Sequence, residues 1–148
     1  MTGSIAEAVL IAQVLASVGM FGVIWTIQLV HYPLMAHIPA TAFVAYERRH
    51  TKAIALIVGP LMAIEGLCVL VVFFARPSGI PFWLSLIGGI AEAVAIGTTA
   101  FVSAPLHGRL ENGFDAALLS RLILTNWIRT IAWTARGIIA VAMLVLFL

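Results

Sequence analysis

Four long apolar stretches, separated by short polar connections, dominate this sequence and cover about residues 5–32, 52–75, 82–106 and 117–148. A helix needs roughly 20 apolar residues to cross the hydrocarbon core of a bilayer, and each stretch meets that length. Because the backbone polar groups of a segment in lipid must be satisfied internally, we expect each stretch to be an α-helix. The four helices and their turns use nearly all of the sequence, which leaves no room for a separate soluble domain.

The composition supports this interpretation, since 63% of the residues are hydrophobic and 9% are charged. Soluble domains carry about a quarter charged residues, so lipid must be the solvent for much of this surface. The net charge of +2 comes from eight cations and six anions and does not indicate nucleic-acid binding. Short links make sequential helices antiparallel neighbours. We therefore predict a single transmembrane domain, residues 1–148, with the all-α fold of an integral membrane antiparallel four-helix bundle.

The distribution of lysine and arginine predicts the orientation of this bundle. The first connection carries Arg48, Arg49 and Lys52, and the third carries Arg109 and Arg121. The second connection carries only Arg76, and the termini carry none. By the positive-inside rule, the first and third connections face the cytoplasm and both termini face outward. We therefore predict a multi-pass protein of the inner (plasma) membrane.

Polar residues recur along one face of each apolar stretch. In the third stretch, Ser85, Glu92 and Thr99 are spaced by seven residues, close to two turns at about 3.6 residues per turn. Polar side chains are costly in lipid, so these faces should meet in the bundle interior. The other members of the polar faces are Gln13, Ser17, Gln28 and His31; Glu47, His50 and Glu65; Ser103 and His107; and Asn126, Arg129, Thr130, Trp133 and Arg136.

Three charged residues, Glu65, Glu92 and Arg136, fall near the middle of their helices and define a glutamate–arginine cluster. Two interpretations remain open for this midplane polar network. Arg136 can neutralise the carboxylates in a structural network that fixes helix register. Alternatively, one glutamate carries a proton, because a medium of low dielectric constant favours the neutral carboxyl group. The second interpretation predicts a small transporter or proton-coupled channel, assembled as a homo-oligomer because four helices enclose little room.

Three histidines, His31, His50 and His107, lie on different helices at one predicted depth near the cytoplasmic boundary and define a histidine layer. Glu47 precedes His50 by three residues, the spacing found in carboxylate-bridged di-metal bundles. Imidazole suits zinc, copper or iron, and two facing histidines can bind haem iron axially. We therefore predict a metal ion or haem with His31, His50, His107 and Glu47 as ligands. Interfacial histidines without any metal are the alternative.

The fourth helix adds Asn126 and Arg129 near this layer. A guanidinium at membrane depth requires a carboxylate, phosphate or headgroup partner, and Glu47 and Glu111 are the internal candidates. An anionic substrate or a haem propionate is the functional alternative. We predict catalytic roles for Glu47, Arg129 and Asn126.

Three further residues are predicted to bind the cofactor. Gln28 can hydrogen-bond the second nitrogen of a histidine ligand. Trp127 and Trp133 can stack on a planar ligand, although tryptophans on a spanning helix also serve as packing residues and interface anchors.

Three segments carry a resemblance to small bacterial four-helix membrane proteins: Gln28-Leu29-Val30-His31-Tyr32-Pro33, Tyr46-Glu47-Arg48-Arg49-His50 and Asn126-Trp127-Ile128-Arg129-Thr130. In size and helix count the chain also resembles anthrone-oxygenase-like membrane proteins and the haem-binding membrane protoporphyrinogen oxidases. It lacks the histidine–tryptophan and proline–arginine pattern of the latter, so no residue roles are transferred. The resemblance implies a redox or oxygenase role.

The combined prediction is a membrane-embedded, metal- or haem-dependent redox protein that acts on a lipophilic or planar substrate, such as a quinone or a polyketide-like aromatic. Its partners are the lipid bilayer and a lipophilic small molecule, with no nucleic acid. A proton-coupled transporter and a non-catalytic membrane assembly subunit are the alternatives.

Overall fold

The computed structural model describes residues 3–148, and this part of the chain is helical apart from short connections. Six α-helices and two π-helical segments follow one another: α1 Ser4–Thr26, the first π segment Ile27–His31, α2 Tyr32–Met35, α3 Ala40–Phe74, α4 Phe82–Thr98, the second π segment Thr99–Ser103, α5 Ala104–Leu110 and α6 Ala116–Phe147.

These elements form four long helices, because α1 continues through the first π segment into α2 and α4 continues through the second into α5. The continuous helices are Ser4–Met35, Ala40–Phe74, Phe82–Leu110 and Ala116–Phe147, and each is long and apolar enough to cross a membrane. The all-helical fold with four helices is thus confirmed. The second helix extends ahead of the apolar stretch 52–75, since α3 begins at Ala40, directly after Pro39, and continues without interruption to Phe74.

Both π segments lie just ahead of a proline. Pro33 and Pro105 each follow a π segment by two residues. Proline cannot donate a backbone hydrogen bond and its ring clashes with the preceding turn, and the wider π turn accommodates both effects. The extra residue rotates the following side chains by about 100° relative to a regular helix of 3.6 residues per turn. As a result, Tyr32 is fully buried while the preceding His31 is only partly buried.

Three apolar layers along the bundle establish the helix directions. One layer contains Leu10, Val72, Ile80, Leu84 and Met143; the middle layer contains Met20, Ile24, Ala95, Ala132 and Trp133; and the third contains Ile27, Tyr32, Met35, Phe43, Leu106, Leu110, Leu119 and Leu122. Residue numbers rise through the layers in α1 and α4 and fall in α3 and α6, so sequential long helices are antiparallel. Each of α1 and α4 packs against both α3 and α6.

The bundle carries its polar side chains inside and large apolar side chains outside. Leu56, Phe74 and Phe101 are each about four-fifths exposed, at 79%, 80% and 83%. The buried polar and charged residues are Gln13, Ser17, Gln28, Glu47, Glu65, Ser85, Glu92, Ser103, Asn126, Arg129, Thr130 and Arg136. Apolar exposure on this scale requires an apolar environment or partner, because soluble monomers rarely expose such large contiguous patches.

A glycine on α4 allows close packing against α6. A Cβ atom added to Gly88 would lie 3.1 Å from the Ile139 Cγ2 atom and 3.2 Å from the Arg136 Nη1 atom. The neighbouring Gly89 is less constrained, since its added Cβ would meet Val69 at 3.8 Å. Gly88 therefore lets α6 bring the Arg136 side chain alongside α4.

Candidate functional site

The structure brings the three histidines of the predicted layer together at one end of the bundle, here called the histidine end. The His31 and His50 rings are stacked with centroids 4.3 Å apart, and the His50 and His107 centroids are 5.5 Å apart. The Tyr46 hydroxyl lies 3.4 Å from His31 Nε2 and covers this pair. The fourth histidine, His37, is exposed in the connection before α3, and its Nδ1 atom lies 3.1 Å from the Pro33 carbonyl oxygen.

A chain of hydrogen bonds runs from Tyr32 through His107 to Glu47 and is called the relay below. The Tyr32 hydroxyl lies 2.9 Å from His107 Nε2, and His107 Nδ1 bonds the carboxylate of Glu47. An ionised Glu47 accepts from Nδ1–H, which leaves Nε2 to accept from the tyrosine hydroxyl. Tyr32 and Glu47 are buried, whereas His107 is partly exposed. This arrangement can pass a proton between a phenol and a carboxylate.

The relay restricts how the histidine layer could hold a metal. Both ring nitrogens of His107 are engaged, one by Tyr32 and one by Glu47. His31 and His50 face each other through their ring planes, whereas a metal binds in the plane of the ring at a nitrogen. Within residues 3–148, no group of three or more His, Cys, Asp or Glu side chains is arranged to hold a metal ion. Metal ligation by His31, His50, His107 and Glu47 stays a prediction.

Arg129 lies next to the relay and is 4% exposed. Its Nη1 atom donates to Asn126 Oδ1 at 3.0 Å and lies 3.5 Å from Ser103 Oγ, and its guanidinium group interacts with the Tyr32 side chain. Its Nε–H group has no hydrogen-bond partner among the described residues.

Neither carboxylate expected to pair with Arg129 does so. Glu47 bonds His107 instead, and the Glu111 carboxylate accepts from the Thr51 hydroxyl at 2.6 Å. The backbone carbonyl of Glu111 accepts from Arg48 Nε at 3.1 Å. No carboxylate in the described part of the chain lies within ion-pair distance of Arg129. Arg129 is therefore a buried cation held by neutral groups.

Asn126 and Gln28 fix the position of Arg129. The Asn126 side-chain amide donates to Gln28 Oε1 at 2.8 Å while its oxygen accepts from Arg129. The Gln28 amide donates to the Ile123 carbonyl at 3.4 Å, and Thr130 donates to the Asn126 carbonyl at 3.0 Å. Asn126 and Gln28 are thus both part of the network that orients the guanidinium group. Gln28 does not contact a histidine nitrogen, so its predicted role beside a histidine ligand has no support in this contact pattern.

A cavity of about 250 Å³ lies at the histidine end, between α3, the second π segment, α5 and α6. Tyr32, His107 and Arg129 reach it together with His50, while most of the remaining wall is apolar. The full lining is Ile27, Tyr32, His50, Thr51, Ile54, Ala55, Val58, Thr99, Ser103, Ala104, His107, Gly108, Glu111 and Arg129. One face of the relay and the unpaired guanidinium group therefore open into the same space.

The two tryptophans predicted to stack on a ligand lie elsewhere. Trp133 is fully buried in the middle apolar layer with Met20 and Ile24. Trp127 is 39% exposed and packs edge-to-face against Trp25. Neither lines the cavity at the histidine end. These contacts are those of packing residues, which was the alternative role predicted for Trp127 and Trp133.

The glutamate–arginine cluster forms a second polar site in the middle of the bundle. Arg136 Nε lies 2.9 Å from Glu65 Oε1 and 3.6 Å from Glu92 Oε2, and all three side chains are buried. The Ser17 hydroxyl donates to Glu65 Oε1 at 2.5 Å. None of the three guanidinium nitrogens of Arg136 has a hydrogen-bond partner within the described residues, so its contacts with the two glutamates are ion pairs. The predicted convergence of these charges on one interior position is present.

The sequence reasoning did not single out Tyr32, although it completes the relay. The sequence feature that could have indicated Tyr32 is its position directly before Pro33, at the end of an otherwise apolar helix. A regular helical period placed His31 on the interior face, and the π turn before Pro33 moved that position to Tyr32.

No protein-family model, curated protein or solved structure matches this chain. The fold defines the class: an all-helical protein whose described residues form four helices long and apolar enough to cross a membrane. The function must accordingly be argued from the two polar sites.

Proposed function

We propose that this chain is a membrane-embedded enzyme that transfers protons to or from a lipophilic, planar substrate bound at the histidine end. One observation carries the proposal: the relay and a buried arginine without a carboxylate partner open into one largely apolar cavity. A buried cation without a counterion is costly, and an anionic or strongly polarised substrate oxygen would offset that cost.

The cavity size and lining favour the ring of a substrate as the group bound. Its volume of about 250 Å³ lies just below the ~300 Å³ at which ligand pockets of ordinary size begin. The apolar wall from Ile54, Ala55 and Val58 suits an aromatic or quinone ring. Arg129 would hold the ring oxygen, and the remainder of a larger lipophilic substrate would extend into the lipid.

The reaction class follows from the residues that touch this space. Tyr32 would donate a proton to the substrate oxygen or accept one from it, and His107 and Glu47 would exchange that proton. Asn126 holds Arg129 in place and is a positioning residue. Proton transfer at such an oxygen accompanies quinone reduction and the oxidation of polyketide-like aromatics. In an oxidoreductase or oxygenase of this kind, a separate redox partner or dioxygen would exchange the electrons with the substrate, and the residues of the cavity would exchange the proton.

Ligand binding tests this proposal, with a short-chain naphthoquinone and its hydroquinone as probes in detergent-solubilised protein. Arg129→Gln should weaken binding about 10- to 100-fold, because hydrogen bonds to a charged group contribute about 1.5–3 kcal/mol. The unliganded variant should be at least as stable as the wild type, since it no longer buries an unpaired charge. Arg121→Gln, which changes an exposed arginine on the same helix, is the matched control. If the Arg129→Gln variant binds the probes as the wild type does, or if it is markedly less stable, then the role of Arg129 is structural and the proposal is wrong.

A metal- or haem-dependent form of this function is a second candidate, favoured by the exposure of His31 and His50 to a groove of about 590 Å³ between α1 and α3. In this second candidate function, His31 and His50 would bind the metal or haem iron, because both ring nitrogens of His107 are engaged. Protein purified in detergent should then contain near-stoichiometric iron, copper or zinc, or show a Soret band, and His31→Ala should remove it. A folded sample with neither signal would leave the metal-free proton-transfer mechanism.

Proton-coupled transport is a third candidate, favoured by the unpartnered polar atoms of the glutamate–arginine cluster. It requires a homo-oligomer, since one bundle encloses little space. Glu65→Gln should abolish solute or proton flux in liposomes, whereas His107→Ala should leave it intact. Copurification with a larger complex, without flux or ligand binding, would instead identify an assembly subunit.

We infer the membrane orientation from the lysine and arginine residues alone. The histidine end, with Arg48 and Arg109, would face the cytoplasm of a plasma-membrane protein. A cysteine introduced at His37 should then react with an impermeant thiol reagent in inside-out vesicles and remain protected in intact cells. The reverse labelling pattern would invert this orientation.

A further inference from the structure

We propose that Glu92 is a proton-binding site: its carboxyl group holds one proton at neutral pH, and its side chain forms part of the wall of a groove on the outer surface of the bundle. The proposal is independent of the enzymatic function proposed for the histidine end. It begins with the charges in the cluster, where two carboxyl groups share one guanidinium group. If both were ionised, a net negative charge would be buried, which is strongly unfavourable in a medium of low dielectric constant.

The contacts decide which carboxyl group holds the proton. Glu65 makes the shorter ion pair with Arg136, at 2.9 Å against 3.6 Å for Glu92, and accepts a hydrogen bond from Ser17. Both interactions favour the ionised form of Glu65. Neither oxygen of Glu92 accepts a hydrogen bond from a donor group among the described residues, so its ionised form lacks comparable stabilisation. The Glu92 side chain instead lies beside that of Glu65, to which a protonated Glu92 can donate a hydrogen bond.

The surroundings offer no second cation that could balance Glu92. α3 adds Cys68 near Arg136 and Glu65, and α1 contributes Ser17 and Gln13, both neutral. Gln13 donates to the Met143 sulfur atom at 3.4 Å rather than to a carboxylate. In the described part of the chain, Arg136 is the cation within ion-pair distance of either glutamate.

The Glu92 side chain also borders a groove on the outside of the bundle. A groove of about 570 Å³ between α3 and α4 has Glu92 in its wall, together with the glycines Gly66 and Gly89. Its remaining lining is Met62, Ala63, Leu67, Val69, Leu70, Ala93 and Ile96. Glu65 is absent from this lining and lies fully inside the bundle. The carboxyl oxygens of Glu92 are themselves buried. An apolar reagent in the groove would reach them through local movement of the wall, whereas Glu65 has no part in that wall.

Dicyclohexylcarbodiimide tests both the protonation of Glu92 and its position beside the groove, since this reagent partitions into apolar surroundings and reacts with protonated carboxyl groups. The acid adds across one carbon–nitrogen double bond, and rearrangement gives an N-acylurea that retains all atoms of the reagent. The protein in detergent at neutral pH should gain the mass of one carbodiimide, and peptide mapping should place it on Glu92. Glu92→Gln should lose the label, while Glu111→Gln, which removes a carboxylate outside the cluster, should retain it.

Glu65→Gln tests the charge argument separately. Arg136 would then have Glu92 as its single carboxylate, so Glu92 should ionise and its labelling at neutral pH should fall well below that of the wild type. Circular dichroism and size exclusion would verify that each variant remains folded. Infrared spectra provide a second measurement, because a protonated carboxylic acid has a carbonyl stretch that Glu92→Gln should remove. Labelling of Glu65 instead of Glu92, undiminished labelling in Glu65→Gln, or the absence of both label and infrared band would overturn the proposal.

Discussion

The packing of α4 against α6 makes a quantitative prediction for Gly88. In Gly88→Ala, the new Cβ atom would lie 3.1 Å from Ile139 Cγ2 and 3.2 Å from Arg136 Nη1. Both contacts are too short without movement of a neighbour. Ile139 is β-branched and has little rotamer freedom in a helix, and Arg136 is constrained by its ion pair with Glu65. Overpacking of this kind costs about 1–3 kcal/mol.

The same helix offers a matched control. Apart from its chain neighbours and the backbone of its own helix, a Cβ atom added to Gly97 would meet nothing within 4 Å. Both substitutions replace glycine in a continuous helix, and each gains about 1 kcal/mol of helix propensity. Because that gain is shared, the difference in free energy of unfolding between the variants reports the overpacking, about 1–3 kcal/mol. We expect Gly97→Ala to be more stable than the wild type and Gly88→Ala to be the less stable of the two.

Reversible unfolding in mixed detergent micelles, followed by circular dichroism, measures this difference. The infrared band assigned to Glu92 gives a local check, since displacement of Arg136 should alter it in Gly88→Ala and leave it unchanged in Gly97→Ala. Equal stability of the two variants would refute the conclusion that Gly88 is required for the close approach of α6 to α4.

Two further predictions concern single hydrogen-bonding side chains. Asp115 caps α6 by accepting from the backbone N–H groups of Ala117 at 2.8 Å and Leu118 at 3.0 Å, so Asp115→Ala should lower the unfolding free energy by about 1 kcal/mol, while Asp115→Asn should retain most of it. Ser17→Ala removes the hydroxyl that donates to Glu65 and should cost about 1–3 kcal/mol in the same assay, because a buried charged group loses a donor. A stability equal to the wild type in either alanine variant would contradict the corresponding contact.

α6 connects the two polar sites. Asn126 and Arg129 lie at the histidine end, and Arg136 lies seven residues beyond Arg129, about two turns at 3.6 residues per turn. Between them, the fully buried Trp133 fills the middle apolar layer. The apolar layer separates the relay from the glutamate–arginine cluster, which is why the two sites are proposed to act independently.

Much of the fold and the composition of both polar sites could be predicted from the sequence. Four stretches long and apolar enough to cross a membrane indicated four helices, because a helix satisfies its own backbone polar groups without water. The seven-residue spacing of Ser85, Glu92 and Thr99 indicated an inward polar face, and Ser85 and Glu92 are buried as expected. The convergence of the histidines and of Glu65, Glu92 and Arg136 followed from their similar predicted depths along the four spans.

The pairing of these side chains was decided by the tertiary structure. Tyr32 and Glu47 lie 75 and 60 residues from His107, and no local pattern relates partners at such separations. The π turns before Pro33 and Pro105 rotated the helix faces, which brought Tyr32 inside and partly exposed His31. In the folded protein Glu47 bonds His107, and Arg129 therefore has neutral hydrogen-bond partners. The sequence by itself determined most of the buried polar positions, because helix periodicity places the few polar side chains of an apolar helix on one face. Only the tertiary structure decided which atoms meet, because a hydrogen bond depends on positions defined to within a few tenths of an ångström.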